Sequence, residues 1–385
     1  MNFQNNSWRI ASPVETYSRI KSKMPLCGIS RAADITGLDD LDIPVFCAIR
    51  PGGVILQVSN GKGLTRDAAK VSAIMEAIEV DHAERPSPSK LRWCSHDKLC
   101  SESTEVIDPE TLPGKLGNYW NREFVIPWYK GRNCIDHTPV WIPAGFIFFN
   151  IEPVIFQTTS NGLASGNHIL EAEIHGLLEL IERDTLATVF QEGRLVLPSG
   201  SQIINTEAEF PRRLKELITK ITQRKNLVLL IRIHDEKPLH TFWAIILNES
   251  AFSSVSTVNV GSGTHLAPEI AALRAITEAA QSRATFIHAG REDLLQKKSF
   301  TGKHVHESVA IIKLKKLTPN ADWSEIPKFP IPKHETLVDC HSYLLELLRQ
   351  AGHEMVFGFD LTKSSIGIPV ARMFIPNMRL NLKIL

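Results

Sequence analysis

Three stretches of this sequence each pass from a glycine-containing strand or turn into a long amphipathic helix, and this feature restricts the fold most strongly. They occupy residues 54–84, 160–185 and 256–287, and two of the helices are expected to begin near Thr65 and Pro268. Strands that alternate with helices carrying one apolar face are typical of α/β proteins, where helices cover the faces of sheets. The sequence therefore predicts an α/β fold.

Other segments carry weaker signals for strands and connections. Residues 140–156 are strongly apolar but are interrupted by two prolines. This favours buried strands over a membrane helix, since a span needs about 20 uninterrupted apolar residues. Residues 326–335 contain three prolines and indicate a connector or surface loop. Apolar and β-branched residues predict further strands at 228–234, 241–247, 354–362 and 368–375.

The charge balance and the cysteine pattern exclude several classes of protein. The 385 residues carry a formal net charge of +1, which gives no electrostatic footprint for nucleic acid. The six cysteines include no C-x-x-C pair, so we expect reduced thiols rather than a disulfide framework or a zinc site. The N-terminus lacks the apolar core of a signal peptide. These features are typical of a cytoplasmic protein without a membrane segment.

The first long helix carries two acids on its polar face. Ser72, Glu76 and Glu79 are spaced i, i+4 and i+7. At 100° per residue they fall within an arc of roughly 60°. Ile74 and Ile78 occupy the opposite side, which we expect to face the core.

The second long helix has an almost entirely acidic polar face. Relative to Glu171, the side chains of His175, Glu179 and Glu182 lie at about 40°, 80° and 20°, and Asn167 extends this stripe by one turn. One interpretation is a solvated surface. The other is a Mg²⁺ site, because like charges at neighbouring helical positions are destabilising without a cation, and Mg²⁺ prefers hard oxygen ligands. Recurrence of the pattern in two helices favours the metal site.

The third long helix mixes charges on one face. Arg274, Glu278 and Gln281 are again spaced i, i+4 and i+7, and an internal pair between Arg274 and Glu278 is one interpretation of them. Arg283 points away from that face in an ideal helix.

Together, these residues resemble the motifs of the YcaO family, whose members use ATP to activate backbone amides of peptides. The family elements S-x3-E-x2-E, N-x3-E…E-x2-E-R and R-x3-EA-x-QSR match, in order, Ser72, Glu76 and Glu79; Asn167, Glu171, Glu179, Glu182 and Arg183; and Arg274, Glu278, Ala279, Gln281 and Arg283. The similarity runs nearly end to end. It implies one YcaO-type catalytic domain over residues 1–385, with mixed β-sheets and helices packed around a central ATP and Mg²⁺ site.

The resemblance also implies roles for individual residues. Five glutamates are expected to bind Mg²⁺: Glu76, Glu79, Glu171, Glu179 and Glu182. Seven residues are expected to contact ATP: Arg9, Thr16, Ser72, Asn167, His175, Arg183 and Arg283. Ala164 and His175 stand where some relatives have Ser and Gln, so Ser165 is expected to replace the lost hydroxyl. His175 either brings a titratable group beside the acids or is a satisfied polar histidine.

The stretches "SNGKGLT" and "EAAQSRATFI" look most like the subgroup that works beside a TfuA partner and installs thioamides with a sulfur donor. The implied reaction is ATP-dependent O-phosphorylation of a backbone amide in a ribosomally made peptide or protein. Two alternatives stay open: an azoline-forming cyclodehydratase acting on Cys, Ser or Thr, and a non-catalytic peptide-docking homologue. The sequence ends without the proline-rich segment that the azoline branch often carries. The family also implies a homodimer.

Overall fold

The computed structural model describes residues 8–103, 105–113, 116–156, 158–191, 194–248, 258–290, 314–329 and 336–379. The α-helices in these ranges are α1 Pro13–Ile20, α2 Arg66–Glu84, α3 His96–Glu102, α4 Ala144–Ile147, α5 Ile169–Ala187, α6 Arg212–Thr222, α7 Pro268–His288 and α8 Leu337–Gln350. Short 3₁₀ helices occupy Lys21–Cys27, Thr36–Leu38, Pro88–Lys90, Pro109–Thr111 and Trp323–Glu325.

The strands within these ranges form three main antiparallel sheets. The first contains β1 Arg31–Asp34, β2 Val45–Ile49 and β3 Val58–Lys62, in that order. The second contains β10 Gln202–Ile204, β11 Asn226–Ile233, β12 His240–Asn248 and β13 Val258–His265. The third runs β4 Leu91–Cys94, β5 Ile126–Asn133, β14 Phe357–Asp360, β15 Val370–Phe374 and β7 Leu163–Ser165, with β6 Pro139–Pro143 paired to β5. A short pair joins β8 Phe190–Gln191 to β9 Arg194–Leu195.

Glycines let two of the long helices lie directly on the strands that precede them. A Cβ at Gly61 in β3 would come within 2.0 Å of the backbone nitrogen of Ala73 in α2. At Gly261 in β13, a Cβ would come within 2.2 Å of the backbone nitrogen of Ala279 in α7. Any larger residue would force helix and strand apart, so glycine is required at both places.

The three strand–helix units close into a ring. Helix α2 packs on β3 and also touches β7, α5 packs on β7 and also touches β13, and α7 packs on β13 and also touches β3. Each helix therefore lies between its own strand and the strand of the next unit. This arrangement directs one face of every helix toward a common centre.

The apolar faces of these helices point away from that centre, as the periodicity predicts. Ile74 and Ile78 of α2 are fully buried in one hydrophobic cluster, and Leu177 and Ile181 of α5 are buried in another. The N-cap of α2 is Thr65, whose hydroxyl accepts from the N–H of Ala68. The expected helix start at Thr65 is thus confirmed.

Most of the expected strands are confirmed, and one expectation is wrong in part. The segments near 228–234, 241–247, 354–362 and 368–375 contain β11, β12, β14 and β15. Within 140–156, however, β6 ends at Pro143, which is also the N-cap of helix α4, so only the first part of this segment is a strand. Of the connector 326–335, only 326–329 is described, and no helix or strand lies within those four residues. Among the helices described, none has the length and apolarity to cross a lipid bilayer.

Candidate active site

The acidic faces of α2 and α5 meet at the centre of the ring. Burial, together with the nearby carboxylates of Glu76 and Glu179, raises the pKa of Glu79 to about 8. Burial and the carboxylate of Glu182 likewise raise the pKa of Glu179, against the opposing charge of Arg183. Glu171 and Glu182 are buried and Glu76, Glu79 and Glu179 are half-buried, so these acids line a partly enclosed site, which favours the metal interpretation over a freely solvated surface.

Two serine hydroxyls hold one glutamate each on opposite sides of this centre. Ser165 on β7 donates to Oε1 of Glu79 at 2.6 Å, and Ser262 on β13 donates to Oε1 of Glu182 at 2.6 Å. The other oxygen of Glu182, Oε2, is buried and has no hydrogen-bond partner within the described part of the chain. An unpartnered buried carboxylate oxygen beside further carboxylates suits a hard divalent cation, so this donor set fits Mg²⁺.

The third unit of the ring differs because a lysine neutralises its acid. Lys62 on β3 pairs with Glu278 on α7, and the hydroxyl of Ser262 lies 3.4 Å from the same carboxylate. Burial raises the pKa of Glu278, but Lys62 and Arg183 outweigh it and lower that pKa below its ordinary value. Glu79 and Glu182 instead contact serine hydroxyls, and Glu179 contacts Arg183 and the N–H of Gly162.

Arg183 supplies a cation beside these acids. Its Nη2 lies 3.8 Å from Oε1 of Glu179, and its Nε is buried without a hydrogen-bond partner among the described residues. Burial opposes its charge, yet Glu182, Glu179 and Glu278 raise the pKa of Arg183. A fixed guanidinium with an unused donor suits an anionic ligand such as a phosphate.

Both carboxylate oxygens of Glu171, another predicted metal ligand, already accept hydrogen bonds from other groups in the protein. Its Oε1 accepts from Nη1 of Arg9 at 2.8 Å and from the backbone and side-chain nitrogens of Asn167, and its Oε2 accepts from the N–H of Ile10. These contacts cap the start of α5 and anchor the N-terminal segment. Metal binding by Glu171 stays a prediction, since several donors already occupy its oxygens here.

The structure brings the remaining N-terminal candidate to the same end of α5. Thr16 on α1 is buried, and its hydroxyl lies 3.1 Å from the side-chain nitrogen of Asn167. Ser72 is half-buried on α2, one helical turn before Glu76. Arg9 and Thr16 thus join Asn167 and Glu171 at the start of α5, although more than 150 residues separate them from Asn167 in the chain.

His175 lies between two arginines. Its Nδ1 is 3.3 Å from Nη2 of Arg9, and its Nε2 is 3.2 Å from Nη2 of Arg274. Burial and the charges of Arg9, Arg274 and Lys62 lower the pKa of His175 well below its ordinary value. A guanidinium only donates, so the neutral ring accepts from one arginine at a time. The sequence left open an ion pair between Arg274 and Glu278. In the structure Glu278 pairs with Lys62, and Arg274 contacts His175 instead.

Arg283 is the one predicted ATP contact whose described partners lie outside this centre. Its Nε lies 2.9 Å from Oδ1 of Asp39, its Nη2 lies 3.2 Å from Oδ1 of Asp40, and the residue is buried. These contacts follow from its position on α7, which turns the side chain away from the face that carries Glu278. The observed role of Arg283 is a buried ion pair between α7 and the loop before β2.

Sequence reasoning missed three residues that the structure places at or beside the acids. Lys62 and Ser262 each stand between two glycines, in G-K-G and G-S-G, and this shared pattern was the available signal. Arg372 on β15 is buried near Glu179, and burial lowers its pKa to about 10. Only the pairing of β15 with β7 brings Arg372 here, so no local pattern marks it.

Comparison with known proteins gives a family, relatives and a solved structure. The family described as YcaO cyclodehydratase, ATP- and Mg²⁺-binding, matches residues 60–379. A protein of Methanothermobacter thermautotrophicus is 33% identical over 383 residues, which cover 95% of this chain and 94% of the relative. A protein of Rhizobium leguminosarum bv. trifolii, named as lying in the tfuA 3′ region, is 29% identical and covers 97% of this chain and 89% of the relative.

A solved structure shares the fold. YcaO from Methanopyrus kandleri, bound with AMPPCP and Mg²⁺, superposes with a TM-score of 0.75 at 23% identity, and the match covers 97% of this chain and 93% of that chain. The expected α/β architecture is therefore confirmed.

Proposed function

The chain belongs to the YcaO family, whose cofactors are ATP and Mg²⁺, and we propose that it activates a backbone amide of a ribosomally made peptide or protein for conversion to a thioamide. We propose further that residues 1–385 act as one catalytic domain. The observation that carries the proposal is the buried Oε2 of Glu182, which has no hydrogen-bond partner in the described part of the chain and belongs to a carboxylate close enough to Glu179 to raise its pKa.

A peptide amide is a poor electrophile, and its oxygen is a poor leaving group. In the proposed reaction, hydrosulfide adds to the carbonyl carbon, and the resulting oxyanion attacks the γ-phosphorus of ATP with departure of ADP. Loss of phosphate, together with a proton, then removes the original oxygen and leaves the C=S bond. Mg²⁺, when held by these acids, would supply the positive charge that such a phosphoryl transfer requires.

The residues of this chain supply position and charge for that reaction. Glu76, Glu79, Glu179 and Glu182 would hold the metal, with the last oriented by the serine hydroxyl at 2.6 Å. Arg183, with its unused Nε donor, would contact the phosphates. The Arg9, Thr16 and Asn167 group would extend that contact at the start of α5.

The thioamide product, the TfuA-type partner and the sulfur donor are supported by two observations. The first is the likeness of "SNGKGLT" and "EAAQSRATFI" to the TfuA-associated subgroup, and the second is the relative named for the tfuA 3′ region. The alternative is an azoline-forming cyclodehydratase, which the description of the family favours. We propose a homodimer on the family resemblance alone.

The first test is nucleotide binding measured by calorimetry with AMPPCP, with and without Mg²⁺. Glu182→Gln should abolish the Mg²⁺-dependent binding while the protein stays folded by circular dichroism. The control, Glu216→Gln in the exposed Arg212 pair on α6, should bind as the unaltered protein does. Mg²⁺-independent binding, or full binding by Glu182→Gln, would refute the metal site and favour a peptide-docking homologue.

The second test separates the two products. The chain would be co-expressed with a TfuA-type protein and a candidate peptide encoded beside its gene, and the peptide mass measured. A thioamide adds the mass difference between sulfur and oxygen, whereas an azoline loses one water. Loss of water would overturn the thioamide proposal and leave the ATP-dependent activation intact.

A further inference from the structure

Behind α5, on the side away from the acidic centre, three buried side chains of different chemistry converge. They are Cys134 just after β5, Glu173 on α5 and His341 on α8, and their thiol, carboxylate and imidazole ligand atoms all lie within 4.8 Å of one another. Glu173 is two residues beyond Glu171, so the two side chains point to opposite sides of the helix. The proposed ATP reaction uses none of the three.

The imidazole of His341 has a nitrogen that faces this cluster without a hydrogen bond. Its Nε2 lies 3.0 Å from Oε2 of Glu173, but the contact lacks hydrogen-bond geometry, and Nε2 has no other partner in the described ranges. The residue is only 7% exposed. Buried nitrogens almost always have a well-directed partner, and a metal ion between Nε2 and the carboxylate would supply one that the present contact with Glu173 does not.

The neighbouring strand leaves space beside the cluster. A Cβ at Gly358 of β14 would come within 2.8 Å of Sγ of Cys134 and 3.6 Å of Oε1 of Glu173. The backbone N–H of Cys134 is fixed by a 2.7 Å hydrogen bond to the carbonyl of Val356. The backbone that carries the thiol is therefore fixed, and the glycine keeps room for the thiol and the carboxylate.

We propose that Cys134, Glu173 and His341 form a second metal site, for a Zn²⁺-class ion bound by Sγ, a carboxylate oxygen and Nε2. Zn²⁺ takes such mixed S, N and O ligands in a tetrahedral arrangement, with the fourth position open to water. Mg²⁺ would not compete for this site, because it prefers oxygen ligands only. The two sites therefore differ in the ions they select.

Arg132 is the counter-ion of the metal-free cluster. Its Nη2 donates to both oxygens of Glu173, at 2.6 and 2.9 Å, while its side chain is 33% exposed. Each carboxylate oxygen has two lone pairs, so these bonds leave acceptor capacity on Glu173. Since Arg132 reaches solvent, an incoming cation would displace it outward and enter along its path.

Binding would also release a proton. Burial and the charge of Glu173 raise the pKa of Cys134 to about 12, so the metal-free thiol keeps its proton. A metal takes the thiolate and expels that proton to solvent. The bound ion would tie β5, α5 and α8 together behind the helix that carries the catalytic acids.

The experiment uses the full-length chain, reduced, stripped with chelator and then titrated with Zn²⁺ or Co²⁺ alone, without nucleotide. We expect one tightly held equivalent by elemental analysis after desalting, and a thiolate-to-cobalt charge-transfer band. Cys134→Ser and His341→Gln should lose both signals. Two controls, Cys47→Ala at another buried cysteine and Glu182→Gln in the proposed Mg²⁺ site, should keep them.

Arg132→Gln should increase the affinity for Zn²⁺, and a variant that merely misfolds would not show such an increase. Removing the competing cation should tighten Zn²⁺ binding by about tenfold or more, in the range by which neighbouring groups tune metal affinity. The proposal is overturned if the unaltered chain and Arg132→Gln both retain no Zn²⁺. It is equally overturned if Cys134→Ser and His341→Gln retain as much as the unaltered chain. Neither outcome bears on the proposed ATP-dependent function, because AMPPCP binding by Glu182→Gln tests that function separately.

Discussion

Glu79→Gln should stabilise the protein in the absence of metal, although it removes an active-site acid. Glu79 is held among other carboxylates, and its pKa of about 8 exceeds the ordinary value of 4.5. Between these values the folded state keeps a proton that the unfolded chain has released. The free energy of unfolding therefore falls as pH rises from about 4.5 to about 8, and is flat above that.

The size of the effect follows from the shift. Keeping Glu79 protonated costs the folded state about 3 kcal/mol at pH 7, from about 1.4 kcal/mol per pKa unit. Glutamine carries no such cost, so the stability difference between variant and unaltered protein should widen by about 2 kcal/mol from pH 6 to pH 8.5.

Urea unfolding of the full chain in chelator, at several pH values, measures this difference. Glu216→Gln on exposed α6 is the control and should follow the unaltered protein at every pH. With Mg²⁺ and AMPPCP present the order should reverse, because only the unaltered chain gains the ligand's binding energy. Parallel pH profiles for Glu79→Gln and the unaltered chain would refute the raised pKa of Glu79, and with it the burial of this acid beside other carboxylates.

Three further substitutions test the ring and its surroundings. Ser262→Ala removes a 2.6 Å donor to its glutamate on α5 and should weaken Mg²⁺-dependent AMPPCP binding by about 10- to 100-fold in calorimetry; unchanged binding would argue against orientation by the hydroxyl. Arg283→Met leaves Asp39 buried without its cation and should lower the free energy of unfolding by about 3–5 kcal/mol with AMPPCP affinity unchanged. A folded Arg283→Met that loses affinity would support the nucleotide role expected from the sequence. Gly61→Ala places a Cβ 2.0 Å from the backbone of α2 and should cost about 1–3 kcal/mol or more in thermal unfolding, whereas Gly52→Ala meets no atom within 4 Å and should cost little.

Local periodicity was enough to find the acidic faces. Ser72, Glu76 and Glu79 share one side of a helix because helical geometry fixes the angle between residues four and seven apart, whatever the rest of the chain does. The same rule turned Arg283 away from Glu278, although its partner Asp39, 244 positions earlier in the chain, was beyond any local pattern.

The sequence by itself determined which side chains share a face of each helix, because the repeating backbone hydrogen bonds of a helix turn it by 100° per residue whatever surrounds it. Only the tertiary structure decided which elements meet. Closure of the three units into a ring gave Glu79 and Glu182 their serines and gave Glu278 its lysine. The packing of α8 and β5 behind α5 likewise gathered a thiol, a carboxylate and an imidazole from positions 134, 173 and 341, although the spacing of the cysteines indicated no metal site. Contacts at such sequence separations depend on how whole faces pack, and no local pattern encodes that.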